Sequence, residues 1–413
     1  MSLRTYHDPL HLGITLNSKD PAESMVIKLI DSAPFQRLRR IRQLGPAFLT
    51  FHGAESSRFT HSLGVFHIAR RAFKRLIKLD ISLEQDKGIL YGAALLHDIG
   101  HTPLSHTGEE MFGLKHESWT AYLIRQCPEI RITLEGFREG TAEEVAKIFE
   151  KNQSANRVVK ALVSSQLDCD RLDYLLRDSY STGTRYGQLD LERILTALTL
   201  APDGDLALHP KGLSAVEHYL VVRNLMYRSV YNHRLNEVCS WLLEQLVTKA
   251  RQLGPDKVWA DKYMAKWLWE KDNIDLETFL ANDDIRTGYH LLRWKEEAPA
   301  DLSEICNRFI NRNLLKAINI NQLSNEDQLN ALAKARKLVE KKGQNPDQLC
   351  TLRHQSIDIY QPYKRGLRLW DGEHLKALEE VSSIVHGLIN PEIAAWLIHP
   401  KEIHEELKVQ LNF

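Results

Sequence analysis

The segment Gly92-Ala-Ala-Leu-Leu-His-Asp-Ile-Gly100 constrains this chain more than any other. Its apolar run reads as a buried helix that stops at a glycine, with an adjacent histidine and aspartate at its end. Neighbouring side chains on a helix point about 100° apart, so His97 and Asp98 cannot both sit on an outer face. At a helix end beside Gly100 both can turn toward one polar centre. The chain continues through His101, His106 and Glu109, so residues 97–109 hold three histidines and two carboxylates. Imidazole nitrogen with carboxylate oxygen is a ligand set for a divalent cation. A buried helix end rarely carries so many ionisable groups for stability, because each must be desolvated and paired.

Two further segments complete the constellation. Upstream, Arg58-Phe-Thr-His61-Ser-Leu-Gly-Val65 opens an apolar-periodic stretch through Leu63, Phe66, Ile68, Ala69, Phe73 and Leu76. Downstream, residues 165–178 place Asp168, Asp170, Asp173 and Asp178 at helical steps. The order histidine, His-Asp, distant aspartate resembles that of the HD phosphohydrolase superfamily, and within it the deoxynucleoside triphosphate (dNTP) triphosphohydrolases. RFTHSLGV, LLHDIGHTPLSH, the KHE of 115–117, DCDRLDYLLRD and RNLMYRSVYNHR carry the resemblance in order, over roughly residues 5–245.

That resemblance implies a divalent metal (manganese, iron, magnesium or zinc) held by His61, His97, Asp98 and Asp170. Two neutral imidazoles and two carboxylates leave positions open for water and a phosphate oxygen. It implies acid/base or phosphate-facing roles for His106, Glu109, His116 and Glu117, and a phosphate or second-metal position for His101. Arg58, Arg171, Arg223 and Arg234 match cationic contacts to a triphosphate, which planar, permanently charged guanidinium suits. At Arg171 and Arg234 the animal relatives carry lysine, so charge is kept while reach differs. Gln43 and Leu44 match residues lining a deoxyribose, Tyr174 and Asp178 match groups reading its 3′-hydroxyl, and Tyr231 matches the ring that excludes a 2′-hydroxyl. Arg223, Tyr227, Tyr231 and Arg234 recur at i, i+4, i+8 and i+11, which predicts a common face of one helix independently of the resemblance.

Plainer readings compete at several positions. A lone histidine in an apolar run, such as His67 or His218, is more often a satisfied core residue than a ligand. Asp173 and Arg177 read as a helix ion pair, worth little if exposed. Arg37-Leu-Arg-Arg-Ile-Arg42 reads equally as a solvated helix face. The alternative is a regulatory GTP or dNTP activator site, because Asp31, Gln36 and Arg39 match an activator-contacting pattern in this family. Such sites lie between subunits, so the same match implies a dimer or tetramer.

Lys+Arg and Asp+Glu number 54 each, which argues against a dedicated nucleic-acid binder. Cys127, Cys169, Cys239, Cys306 and Cys350 form no CxxC, so neither a zinc knuckle nor a disulfide framework is implied. No secretory leader and no apolar run of about 18 residues is present, so a cytoplasmic protein without a membrane span is expected.

The expected fold is mainly α: an HD-type helical core with small β-hairpins and a smaller α+β C-terminal region. The boundaries expected are 1–250 for the catalytic domain and 251–413 for a region of oligomeric or regulatory role. Residues 4–16 predict a hairpin, and Ala201-Pro-Asp-Gly204 predicts another. Ser214 with Glu217 three residues on predicts a capping box. Trp259, Trp267, Trp269 and Trp294 read as core or interface anchors. Residues 325–343 predict a helix, and 349–370, with a Lys-Arg-Gly turn, a small sheet. No chemistry is evident beyond residue 250. Because the resemblance starts almost at Met1, a SAM-type module like that of the animal relatives is not expected.

The function expected is hydrolysis of a dNTP to deoxynucleoside and triphosphate. Another HD-type phosphomonoesterase, a single-strand nuclease, and a nucleotide-sensing regulator with little turnover are the alternatives. The intact ligand set argues against the regulator.

Overall fold

The computed structural model of the chain describes residues 2–150, 156–362 and 366–412. It is mainly α, with only small sheets of two to four strands. The N-terminal hairpin pairs Leu3–Asp8 with Leu12–Asn17, as the alternation of residues 4–16 predicts. Among the described residues no helix is long and apolar enough to cross a membrane.

The site is positioned by two packed helices and a helix end. Arg58–Ile77 buries Leu63, Phe66, Ile68, Ala69, Phe73 and Leu76, the face its periodicity marks. It packs on Cys169–Thr182, which Asp168 caps by accepting from the Arg171 N–H at 2.8 Å. Gly64 allows that approach, because a Cβ there would lie 1.9 Å from Asp173 Oδ1. The apolar helix Lys87–Leu96 is buried along nearly its whole length and ends with His97 at its C-cap. Both side chains of the His-Asp pair therefore leave the helix end toward the interior.

Several local expectations change in three dimensions. Leu213–Met226 is capped at Gly212 without a side-chain bond, so Ser214 is not the N-cap, and Glu217 instead accepts from Ser382. The helix is also not continuous to Arg234. A π-helical turn spans Tyr227–Tyr231, and a new helix, Arg234–Leu253, starts behind His233. Periodicity alone cannot reveal that insertion, because the apolar pattern resumes on the far side. His218 is exposed rather than a core residue, whereas His67 is half-buried, and burial together with nearby His11 lowers its pKa to about 4.

Beyond residue 250, Asn325–Lys341 is helical as expected. Trp267 and Trp294 are fully buried, and Trp267 meets Phe112 edge-on. Residues 349–370 do not make one sheet. Thr351–Ile357 pairs with Glu392–His399, while Arg368–Trp370 joins the hairpin of Leu198–Leu200 and Leu206–Leu208. That hairpin turns at Gly204, with φ 80°, as Ala201-Pro-Asp-Gly204 predicts. Lys364 and Arg365 of the expected turn lie outside the described residues.

Arg37 is not on a solvated face. It is 1% exposed, and it donates to the carbonyls of Asn282 at 2.8 Å and His101 at 3.0 Å. Asp284, at the start of the helix Asp284–Glu297, accepts from the backbone N–H of Leu104 at 2.7 Å and of Arg42 at 2.9 Å. Leu104 and Ser105 hold positive φ of 62° and 59°. Such strain persists where surroundings over-determine it, and here the chain beyond 250 clamps the loop. Gly45, itself at φ 50°, lets the facing loop close in: a Cβ there would lie 2.4 Å from the Leu104 carbonyl oxygen.

Candidate metal and nucleotide site

His61, His97 and Asp170 converge as one group able to hold a metal ion. His61 Nδ1 lies 2.8 Å from Asp173 Oδ2, and His97 Nδ1 lies 3.0 Å from the Ala94 carbonyl. Each contact places the proton on Nδ1, so each Nε2 presents a lone pair. The two Nε2 atoms are nevertheless 3.2 Å apart, with Asp170 Oδ1 3.0 Å from that of His61. Facing lone pairs beside a carboxylate suit a divalent cation. Without one, His61 takes a second proton: burial opposes its charge, but Asp170 and Asp173 outweigh burial and raise the pKa to about 10. A cation would replace that proton.

Asp98 stands beside this group, its oxygens 3.4 Å from His97 Nε2 and 3.6 Å from His61 Nε2. It is shared with Arg58 Nη1 at 2.5 Å and His101 Nε2 at 3.2 Å. Burial would raise its carboxyl pKa, but Arg58, His97 and His101 hold it well below the usual range.

Asp173 and Arg177 are more than a helix ion pair. Both are buried, Arg177 also reaches Asp8 at 2.8 Å, and Asp173 accepts from His11 Nε2 at 2.6 Å. Asp173 therefore orients the ring of His61. Sequence spacing shows only its i+4 relation to Arg177, because the other partners come from distant segments.

A second group joins His101, His106, Glu109 and His116. Glu109 Oε1 lies 2.9 Å from His106 Nδ1 and 2.7 Å from His116 Nδ1, and His101 stacks on His116 at 4.0 Å. Burial opposes charge on both His116 and Glu109, yet the contact with Glu109 raises the His116 pKa, and the contacts with His106 and His116 lower that of Glu109. His101 is lowered well below its usual value, first by burial and then by Arg58 and His116.

A cavity of about 530 Å³ opens onto these groups. His97, Asp98, Asp170, His101, His106, His116 and Glu117 reach its wall, while Glu109 stands behind the imidazoles. Gln43, Leu44, Arg58, Arg171, Tyr174, Asp178, Tyr227 and Tyr231 also line it. Tyr231 donates to Asp178 Oδ2 at 3.0 Å, and the Tyr174 and Tyr227 hydroxyls are 3.3 Å apart. Burial raises the Asp178 carboxyl to about 7, although His61 and Tyr231 pull it down.

The other expected residues are dispersed. Arg223 lies on an adjoining groove of about 1820 Å³, which shares Arg171 and Glu117 with the cavity, and donates to the Ile359 carbonyl at 2.7 Å. Arg234 is exposed and lines neither space. Asp31 pairs with Arg4, while Arg39 Nε donates to Gln36 Oε1 at 2.8 Å. Residues beyond 250 do reach the cavity: Gln355, on a strand with no motif to flag it, lines the wall beside Asn236, Glu237 and Ser240.

Residues 58–178 match the family described as HD domain, and residues 189–258 match the HD associated region. The Bacillus subtilis protein YwfO is 33% identical over 99% of this chain and 96% of its own length. The chicken deoxynucleoside triphosphate triphosphohydrolase SAMHD1 is 25% identical over 60% of this chain and 45% of its own length. A crystal structure of a phosphohydrolase from Bacteroides thetaiotaomicron superposes with a TM-score of 0.83 at 27% identity, covering 97% of this chain and all of that one.

Proposed function

Because the chain belongs to the HD-domain family of metal-dependent phosphohydrolases, we propose that it hydrolyses dNTPs to deoxynucleoside and tripolyphosphate. The observation that carries the reading is the Tyr231–Asp178 pair, which walls the same cavity as the histidine–aspartate group. Asp178 Oδ1 and Gln43 Oε1 are buried in that wall without a hydrogen-bond partner among the described residues, so they suit a sugar hydroxyl. In this reading Tyr231, held by Asp178, is the ring that would refuse a second hydroxyl. A site that hydrogen-bonds one group and sterically rejects another discriminates strongly.

His61, His97 and Asp170, with Asp98 beside them, would hold the divalent metal. When bound it supplies an acidified water and neutralises charge on phosphorus. Arg58, Arg171 and His116 present positive charge to the triphosphate. Water attacks the α-phosphorus, the bond to the 5′-oxygen breaks, and His106 gives that oxygen its proton, oriented by Glu109. The proposed partner is thus a dNTP; a GTP or dNTP activator at Asp31, Gln36 and Arg39, and a homo-oligomer to complete such a site, are part of the same proposal.

Turnover of a dNTP panel, with product analysis by ion chromatography, tests this. Tripolyphosphate as the first inorganic product, and dATP preferred over ATP, are expected. Phosphate or pyrophosphate as the first product would reject the triphosphohydrolase, and equal use of ATP and dATP would reject the sugar pocket.

A further inference from the structure

Part of the cavity wall has no role in the reaction above. Where the first turns of Arg234–Leu253 meet the strand Thr351–Ile357, Asn236, Glu237, Ser240 and Gln355 face the cavity. Both amides are tied through nitrogen: Asn236 Nδ2 donates to the Val230 carbonyl at 2.7 Å, and Gln355 Nε2 donates to Glu237 Oε1. These bonds decide which end of each amide is the oxygen. Glu237 is itself held by Arg353 Nε at 3.3 Å, so the arrangement is braced from the strand side. Asn236 Oδ1 and Gln355 Oε1 are left buried, without a hydrogen-bond partner among the described residues. A buried acceptor without a donor is costly, and its presence in a cavity wall calls for a ligand donor or water.

We propose that Asn236 and Gln355 form an acceptor wall that reads the base, taking one with an exocyclic amino group and selecting against thymine. The proposal rests on the dNTP reading above and names the substrate class within it. Guanine, adenine and cytosine each bring an NH₂ with two hydrogens to such a wall. Thymine offers one N–H between two carbonyl oxygens, which would meet Asn236 Oδ1 and Gln355 Oε1 lone pair to lone pair. A pocket built to receive N–H groups rejects an analogue lacking them far better than it rejects a change of size.

The test is kcat/KM for dATP, dCTP, dGTP and dTTP with the full-length chain supplied with Mn²⁺. Expected is a dTTP value lower than the other three by on the order of tenfold or more. Gln355→Met and Asn236→Leu should each narrow that gap from both sides, by lowering the amino-bearing substrates and by relieving the lone-pair repulsion that holds dTTP down. Asn236 also ties the Val230 carbonyl, so Gln355→Met keeps the test decisive if Asn236→Leu does not fold. Equal kcat/KM for all four, or a gap that neither variant narrows, overturns the wall while the triphosphohydrolase stands. If none of the four is hydrolysed, the function itself fails. Calorimetric binding of the four deoxynucleosides then decides the wall: thymidine weaker than the others supports it, and equal affinity overturns it.

Discussion

At the His61 end of the cavity charges are paired within the chain: Asp173 with His61, His11 and Arg177, and Arg58 with Asp98. What remains is a set of imidazole nitrogens and a carboxylate oxygen facing one point. At the Asn236 end the remainder is neutral, two buried amide oxygens fixed by bonds through their nitrogens. The first remainder calls for a cation, the second for N–H donors. The ends also differ in origin. The metal end comes from residues 58–178, whereas Gln355 lies 118 positions beyond Glu237, which it holds. Chemistry that demands particular residue types leaves a motif. Chemistry that depends on which way an amide points leaves none.

The largest effect expected separates the ends outright. Replacing His97 and Asp98 together by alanine should abolish bound metal and activity while deoxynucleoside binding at the amide end survives. Metal analysis showing undiminished stoichiometry would break the comparison. Arg58 would lose its buried partner at a cost of about 3–5 kcal/mol, so circular dichroism must confirm that the helices persist.

Asp173→Asn sharpens the comparison without deleting a ligand. The asparagine can keep one contact to the His61 ring but no longer fixes its tautomer, and partners of this kind are worth about 10–100-fold in metal affinity or activity. Competition with a chelator reads it. An unchanged metal affinity would show Asp173 to be only an ion-pair partner of Arg177.

Much of the metal end was legible in sequence, since His61, His97 and Asp170 announce themselves by type and order, and the structure does bring them together. Asp173 was read only in part: its i+4 pair with Arg177 forms, but its contacts to His61 and His11 come from segments that sequence spacing does not connect. Arg37 was misread because a run of arginines looks solvated until Asn282, 245 residues away, supplies a carbonyl. The π-turn at Tyr227–Tyr231 hid because periodicity tolerates one extra residue, and it sends Arg234 to the surface. Gln355 was invisible, since an alternating strand carries no signal for which side chain reaches a distant cavity.

Asp284 tests whether the region beyond 250 also governs the metal end. Asp284→Ala leaves the buried N–H of Leu104 and the part-buried N–H of Arg42 without their acceptor, at about 1–3 kcal/mol for the buried one. A lower Tm and roughly tenfold weaker turnover are expected, because the Gln43–Gly45 and Leu104–Ser105 loops lose their common clamp. Metal stoichiometry should not change. Its loss would mean that the two ends are not separable.

The smallest effect concerns the brace behind the amide wall. Arg353 carries three carboxylates: Glu244 at 2.8 Å, Glu110 at 2.8 Å and Glu237 at 3.3 Å. One guanidinium cannot neutralise three ionised acids. Burial raises Glu244 to about 7, with Glu110 adding to the rise and Arg353 opposing it. An acid whose folded pKa lies above its unfolded value binds more protons when folded, so stability falls as pH rises between the two. For Glu244 that window runs from about 4.5, the ordinary value, to about 7. Glu244→Gln removes the charge and keeps an acceptor for Arg353. Its Tm should match that of the parent chain near pH 5 and exceed it by a few degrees near pH 8, read by thermal unfolding at both. Since Glu244 is only partly buried, solvent screening keeps the gain small. A lower Tm for Glu244→Gln at pH 8 would show that Arg353 needs all three charges, and that the amide end, like the metal end, is held by full ion pairing.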